Sequence, residues 1–270
     1  MNVKVILIIF FVIYISILWL YYQHILYSYK KPIKKSLNWS NIVSGCYYIN
    51  LERSTERKKY VEDLMKKYDI PCERFSAVNG KEICVPKYCQ ITPGALGCKL
   101  SHLELLKKVK KDGWTIIFED DIAFDTNNLL TNSVKNDILY YLTSVPKNTE
   151  LVLLGVGFFN LLRKFLTFEC DGYSRYIWKT KGNINCMHAY AITYTGAQKF
   201  IQKINENMYK VPIDMHDKGI DDIYFCSKLS GLSGFFRLLF LIDSSFIIQN
   251  KSKFGWFQST IAEYPFLNTK

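Results

Sequence analysis

Apolar and polar positions divide the chain into one unbroken apolar stretch and a long series of short periodic segments. Val5 to Tyr22 runs for eighteen residues without a charge, about the length a helix needs to cross a bilayer. Trp19, Tyr21 and Tyr22 stand at its far end, where an interfacial aromatic belt belongs. No small-residue cleavage site follows, so the stretch predicts an uncleaved anchor. Residues 1–4 are then a short tail. Residues 23–40, with Lys30, Lys31, Lys34 and Lys35, form a basic juxtamembrane stalk, and residues 41–270 form the body.

In the body the pattern becomes that of an α/β domain. Ile42 to Leu51 reads as a strand, and Ser54 opens a helix whose apolar positions Tyr60, Val61, Leu64, Met65 and Tyr68 recur at helical spacing. Phe75 to Val78 predicts a second strand closed by the turn Asn79-Gly80. Thr92 is a good N-cap before Pro93, and Leu96, Leu100, Leu103 and Leu106 continue an inward helical face. Trp114 to Phe118 is a short buried strand after the turn Asp112-Gly113. Leu151 to Val156 and His188 to Tyr194 read as strands, Gly196 to Ile204 as a helix, and Phe235 to Ile248 as two further strands. Strands alternating with helices predict a largely parallel sheet covered on both faces. In such sheets ligands bind beyond the carboxyl ends of strands, here at Asn50 to Arg57 and Glu119 to Asp121.

The strand at Trp114 ends in three consecutive carboxylates, Glu119, Asp120 and Asp121. Alternation sends Glu119 and Asp121 to one face and Asp120 to the other, unless the strand has begun to bend. Converging carboxylates at a buried strand end repel one another unless protons or a cation sit between them, and hard oxygen ligands suit Mg²⁺ or Mn²⁺. An acidic solvated turn is the plainer reading of the same triplet.

Composition narrows the partners. The chain has 270 residues and a formal charge of +11, of which five lysines lie in residues 1–40. A moderately basic body suits polyanionic partners such as nucleotides or an anionic membrane surface. No arginine-rich stripe, zinc-finger spacing or RNA-binding aromatic signature is present, so nucleic acid is not expected. Neither Gly-x-x-x-x-Gly-Lys nor Gly-x-Gly-x-x-Gly occurs, which disfavours a mononucleotide-loop ATPase or a dinucleotide enzyme. The eight cysteines form no Cys-x-x-Cys pair. Cys84 and Cys89, around Pro86, are the pair expected to bridge in a luminal body, and the others read as buried thiols.

Several stretches in order resemble glycosyltransferase family 25, which includes bacterial lipooligosaccharide glycosyltransferases and procollagen galactosyltransferases. They are Tyr48-Ile-Asn-Leu-Glu-Arg53 with Arg57, Gly94-Ala-Leu-Gly-Cys-Lys-Leu-Ser-His102, Ile116-Ile-Phe-Glu-Asp-Asp121, Ala189-Tyr-Ala-Ile192 before Gly196-Ala197, Pro212-Ile-Asp214, and Gln249 ahead of Ser259. The resemblance covers residues 42 to 262. It implies a GT-A fold, a Rossmann-like mixed sheet with helices on both faces, together with a UDP-sugar donor, Mn²⁺ or Mg²⁺, and inversion at the anomeric carbon. The acidic triplet stands where such folds carry Asp-x-Asp. Asp121 is the first metal ligand on this reading, Glu119 a second ligand or its support, and His188 a late ligand or a strand-edge histidine. Asp120 reaches the donor ribose or the metal.

Arg53 and Arg57 flank a strand-to-helix turn that already favours anions, and a guanidinium grips a phosphate bidentately. Exposed, solvated arginines are the alternative. Asn50, Ser101, His102 and Gln249 complete the expected donor contacts, against the plainer reading of His102 as a buried hydrogen-bonding residue and Gln249 as a strand cap. Inversion also needs a base facing away from the leaving group. That points to a second acidic cluster, in which Asp214 of the Pro-x-Asp pattern is first choice, Asp217 second, and Asp221 and Asp222 helix caps.

Together these readings describe a single-pass membrane hexosyltransferase moving galactose or glucose from a UDP-sugar to a hydroxyl of a glycan or protein. A procollagen-type hydroxylysine galactosyltransferase and a non-catalytic membrane-anchored glycan- or protein-binding relative are the alternatives. The stalk lysines favour a cytosolic body. Sequons at Asn38 and Asn250 suit a luminal one.

Overall fold

The computed structural model describes residues 3–27, 37–124, 126, 131, 133–155, 170–174, 177–181, 187–215, 218–220, 222–226 and 247–249. Its first helix, α1 (Val3–Tyr27), contains a span, Val3–Tyr21, long and apolar enough to cross a membrane, of which 6% is buried against the rest of the chain. A helix of this kind serves as a signal anchor or a signal sequence. Its later turns do meet the body: Leu18 is fully buried, with Ile15, Trp19 and Tyr21 packed on the same apolar cluster.

A short helix, α2 (Trp39–Ile42), leads into β1 (Val43–Asn50), α3 (Thr55–Lys67) and β2 (Glu73–Ser76). A 3₁₀ turn at Gly80–Glu82 precedes α4 (Pro93–Leu106), and then come β3 (Trp114–Glu119), β4 (Ile122–Phe124) and α5 (Val134–Ser144). The described chain continues with β5 (Leu151–Leu153), β6 (Cys170–Ser174), β7 (Ile177–Lys181), β8 (Ala189–Ile192), α6 (Tyr194–Glu206), β9 (Asp222–Cys226) and β10 (Ile247–Gln249).

Eight strands form one sheet in the order β2-β1-β3-β8-β5-β9-β7-β6, and β10 pairs with β4 alone. Strand alternation sorts side chains to two faces. Cys46, Tyr48, Ile116 and Phe118 pack with Val61 and Met65 of α3 and Ile138 and Tyr141 of α5. Ile49, Ile117, Tyr190 and Ile192 pack with Leu103 and Leu106 of α4 and Phe200 and Ile204 of α6. The body is therefore a sheet between two helical layers, as expected.

Two readings of the local pattern change. The sheet is mixed, as the family resemblance implies, rather than largely parallel as strand–helix alternation alone suggests: β2, β1 and β3 run parallel, but β8 is antiparallel to both β3 and β5, and β7 is antiparallel to β6 and β9. β2 also starts and ends two residues earlier than Phe75–Val78 predicts. The ladder closes where the Ala77 amide bonds the Asn50 carbonyl at 2.9 Å, and the Val78 amide turns away to the Ser101 hydroxyl at 2.8 Å. Of the two strands expected in Phe235 to Ile248, only the end of the second falls among the described residues, as the start of β10.

Candidate active site

A cavity of about 730 Å³ opens where β1, β2 and β3 end, and it is within the size range of small-molecule sites. The wall on the α3 side carries Arg53, Ser54 and Arg57. The wall on the α4 side carries Thr92, Pro93, Gly94, Cys98, Ser101 and His102, and Glu119, Asp120 and Asp121 form the end of the cavity. Two helix N-termini thus face one space, with Arg53, Arg57 and Lys81 beside them, which is an anion-binding arrangement.

Local sequence fixes both walls. Thr92 caps α4 by accepting the Ala95 amide at 3.2 Å. The loop after β2 lies directly on this helix, so that a Cβ on Gly80 would come within 1.8 Å of the Pro93 carbonyl oxygen and one on Gly97 within 2.7 Å of the Val78 carbonyl oxygen. The Ser101 hydroxyl ties the two together, donating to the Gly97 carbonyl at 2.7 Å while accepting from Val78. On the other wall Ser54 makes no side-chain cap. The turn is held instead by its own amide on the Leu51 carbonyl at 2.9 Å and by the Asn50 amide group on the Ser54 carbonyl at 3.2 Å.

β3 ends at Glu119, and the turn at Asp120 and Asp121 breaks the alternation, so all three carboxylates reach the same cavity. Their surroundings differ. Asp120 accepts from Arg57 at 2.8 Å and from Asn50 at 2.7 Å, and Asn50 in turn accepts from Arg74 at 3.0 Å. Asp121 is 6% exposed, and its Oδ1 is buried without a hydrogen-bond partner. Burial pushes the Asp121 carboxyl above its ordinary range, an effect opposed by the charges of Arg57 and His188 and reinforced by Asp120. Glu119 is pushed well up by burial, then by the charges of Asp214 and Asp121.

His102 is fully buried on α4, with Nδ1 3.0 Å from the Tyr190 hydroxyl and Nε2 3.6 Å from Glu119 Oε1. Burial lowers its pKa to about 4, so the ring is neutral at pH 7. Orphaned carboxylate oxygen, paired acids held out of water and a buried histidine nearby are chemistry that a hard divalent cation would satisfy. His188 acts electrostatically on both Glu119 and Asp121.

A family model described as "Glycosyltransferase family 25 (LPS biosynthesis protein)" matches residues 44–216, well over half of the chain. The chain belongs to glycosyltransferase family 25. It is 29% identical over 151 residues to a "Glycosyltransferase 25 family member" of Drosophila melanogaster, covering 45% of this chain and 23% of that protein. It is 30% identical over 105 residues to a protein of the same description from Anopheles gambiae, covering 31% of this chain and 17% of the other. The chain thus matches less than a quarter of the length of these curated relatives. Family 25 enzymes transfer a sugar from a donor to an acceptor, and the matched stretch takes in every residue of the cavity.

The family 25 motifs converge unequally. Arg53, Arg57, Ser101, His102 and the three acids line the cavity, and Asn50 lies behind Asp120. Ser101 spends its hydroxyl on backbone groups of the wall. His188 is buried beside the end of β3, where its carbonyl accepts the Glu119 amide at 2.8 Å. Gln249 pairs with Ile122, one residue beyond Asp121, and its side chain is outside the described atoms.

Asp214 lies on the 3₁₀ turn Ile213–Met215 and is not among the described residues that line the cavity. Its charge is nevertheless the largest charged influence on Glu119. Asp217 and Asp221 lie outside the described residues; Asp222 begins β9 rather than capping a helix. Cys84 and Cys89 are separate thiols, with Cys89 turned to the Ile91 carbonyl at 3.3 Å.

Sequence reasoning missed Lys99. It is fully buried and donates to the carbonyls of Asn207 at 2.6 Å, Met208 at 3.0 Å and Val211 at 2.9 Å. Lys99 therefore ties α4 to the segment that delivers Asp214. A lysine inside an otherwise apolar helical face was the signal.

Proposed function

We infer that this family 25 chain is an inverting transferase of the GT-A type that moves a hexose, galactose or glucose, from a UDP-sugar to a hydroxyl of a glycan or protein acceptor. Residues 41–270 act as its catalytic unit and the apolar N-terminal helix as its membrane anchor. The observation that carries the reading is the division of one cavity into an anion-binding rim, with two helix N-termini, Arg53, Arg57 and Lys81, and an acidic end with an unpartnered Asp121 oxygen. A nucleoside diphosphate sugar needs both.

In this arrangement the rim binds the diphosphate by hydrogen bonds and charge. Glu119, Asp121 and His188 hold Mn²⁺ or Mg²⁺, which when bound neutralises charge on the leaving diphosphate. Asp120 keeps Arg57 and Asn50 in place, and with them the turn that opens α3. Asp214 accepts the acceptor hydroxyl's proton as that oxygen attacks the anomeric carbon from the face opposite the diphosphate. The bond formed is carbon to acceptor oxygen, and the bond broken is carbon to phosphate oxygen. The body is luminal on this reading, consistent with the exposed Asn38 sequon. Glycosidase treatment of the chain expressed in a eukaryotic cell then shifts its mobility, whereas an unshifted chain digested from outside sealed microsomes places the body in the cytosol.

The test of the reaction is donor hydrolysis by the full chain in detergent, with UDP-galactose and UDP-glucose, in Mn²⁺ and in excess chelator. Turnover that needs the cation and one of these donors is expected. Turnover unaffected by chelator contradicts the reading.

A further inference from the structure

Among the described residues, the three metal-ligating side chains whose donor atoms all lie within 4.8 Å of one another are Cys98, His102 and Glu119. They are not the trio Glu119, Asp121 and His188 that the acidic motif suggests. Cys98 and His102 are four apart on α4, so one helix face presents both, as in helical zinc motifs built on an i, i+4 pair. The Cys98 thiol lies 3.9 Å and the His102 Nε2 3.6 Å from the same oxygen, Glu119 Oε1. That Nε2 is fully buried and has no hydrogen-bond partner. Its ring is already oriented from behind, with Nδ1 against the Tyr190 hydroxyl at 3.0 Å and the two rings stacked.

We propose that Cys98, His102 and Glu119 form a site for a soft divalent cation, Zn²⁺, inside the donor cavity and separate in character from the hard-cation site. Tetrahedral zinc, with bonds of about 2.0–2.1 Å to nitrogen and oxygen and about 2.3 Å to sulfur, sets its ligands roughly 3.3–3.6 Å apart. The separations of 3.6 and 3.9 Å come within a few tenths of an ångström of this, which side-chain rotation supplies. Sulfur and imidazole donors favour zinc over Mn²⁺ or Mg²⁺. Tyr190 acts as the outer partner that fixes the ring, its hydroxyl oxygen accepting a hydrogen bond from Nδ1–H so that Nε2 carries its lone pair toward the metal. The Cys98 thiol loses its proton to solvent on binding, and the fourth position faces the cavity. Because Glu119 is shared, zinc displaces the catalytic cation. This competition, unlike zinc binding itself, rests on the proposed function.

Cobalt(II) replaces zinc as a spectroscopic probe in the full detergent-solubilised chain. One equivalent is expected to give a thiolate-to-cobalt charge-transfer band that is absent in Cys98→Ser and retained in Cys89→Ser. Zinc affinity, read by competition with a chromophoric chelator, is expected to fall at least about a hundredfold in Cys98→Ser, since loss of even an outer-shell partner costs about 10–100-fold. In the unmutated chain one equivalent of zinc, but not of Mn²⁺, is expected to protect Cys98 from alkylation, as mapped by mass spectrometry. Absence of the band, its persistence in Cys98→Ser, or unchanged Cys98 alkylation overturns the site. If zinc binds by these criteria yet leaves Mn²⁺-dependent transfer undiminished, the site stands and the reading of Glu119 as a ligand of the catalytic cation fails.

Discussion

Asp120 and Asp121 are neighbours in sequence and line the same cavity, yet the fold treats them in opposite ways. Around Asp120, Asn50 and Arg57 supply hydrogen bonds of 2.7 and 2.8 Å, and Arg74 extends the network from Asn50 to Glu52 at 2.7 Å. Around Asp121 and Glu119 there are burial, like charges and an oxygen with no hydrogen bond. A half-buried pair such as Asp120 with Arg57, each with little side-chain exposure, is part of the architecture, because removing one partner strands the other. The acids on the other side are buried beside like charges, a cost that a bound cation would offset on the proposed function. On that reading satisfied polar groups mark the scaffold of the cavity and unsatisfied ones mark its chemistry.

The largest expected effect is on the unsatisfied side. Asp214→Asn is expected to slow sugar transfer about 10²–10⁴-fold, the usual range for a general base, while leaving cation-dependent UDP-sugar binding intact. Steady-state transfer with parallel binding titrations checks this, and wild-type turnover moves the role to Asp217 or Asp222.

Stability sharpens the comparison next. Asp120→Ala is expected to cost about 3–5 kcal/mol in denaturant unfolding, because Arg57 loses its partner in a largely buried setting. Asp121→Asn removes a buried charge that Arg57 and His188 offset only in part, and is expected to leave stability unchanged or slightly raised. Equal losses in the two variants would erase the distinction.

How much of this was legible in sequence varied with the range of the interaction. α4 was read correctly because Thr92, Pro93 and the leucine spacing are local signals, and β3 because a short apolar run ends abruptly in charge. The direction of β8 was not, since all four residues of Ala189–Ile192 are buried and the segment carries no alternation to orient it. The pairing of Arg57 with Asp120 spans 63 positions and leaves no periodic trace. Lys99 was hidden for the same reason, as its three acceptors lie more than 100 residues away. Glu119 and Asp121 were expected to share a face, and Asp120 joined them only because the strand turned where the acids begin.

The smallest expected effect concerns pH. His102 has a folded pKa of about 4 against an ordinary value near 6.5, so between these limits the unfolded chain binds more protons. Its contribution is therefore constant above pH 6.5 and falls as pH drops toward 4, by about 2 kcal/mol between pH 7 and pH 5. Denaturant titrations at both pH values are expected to show this loss in the wild type relative to His102→Gln, in which all the acids remain. Equal pH slopes in the two chains contradict the buried neutral ring.

The central claim, that the Asp121 half of the cavity is built for a cation carrying a nucleoside diphosphate, is tested most directly by calorimetric titration of UDP onto the full chain and its Asp121→Asn variant. The account predicts wild-type binding that requires Mn²⁺ or Mg²⁺ and is lost in Asp121→Asn at undiminished thermal stability. UDP binding of equal strength in excess chelator, or in the variant, would contradict it.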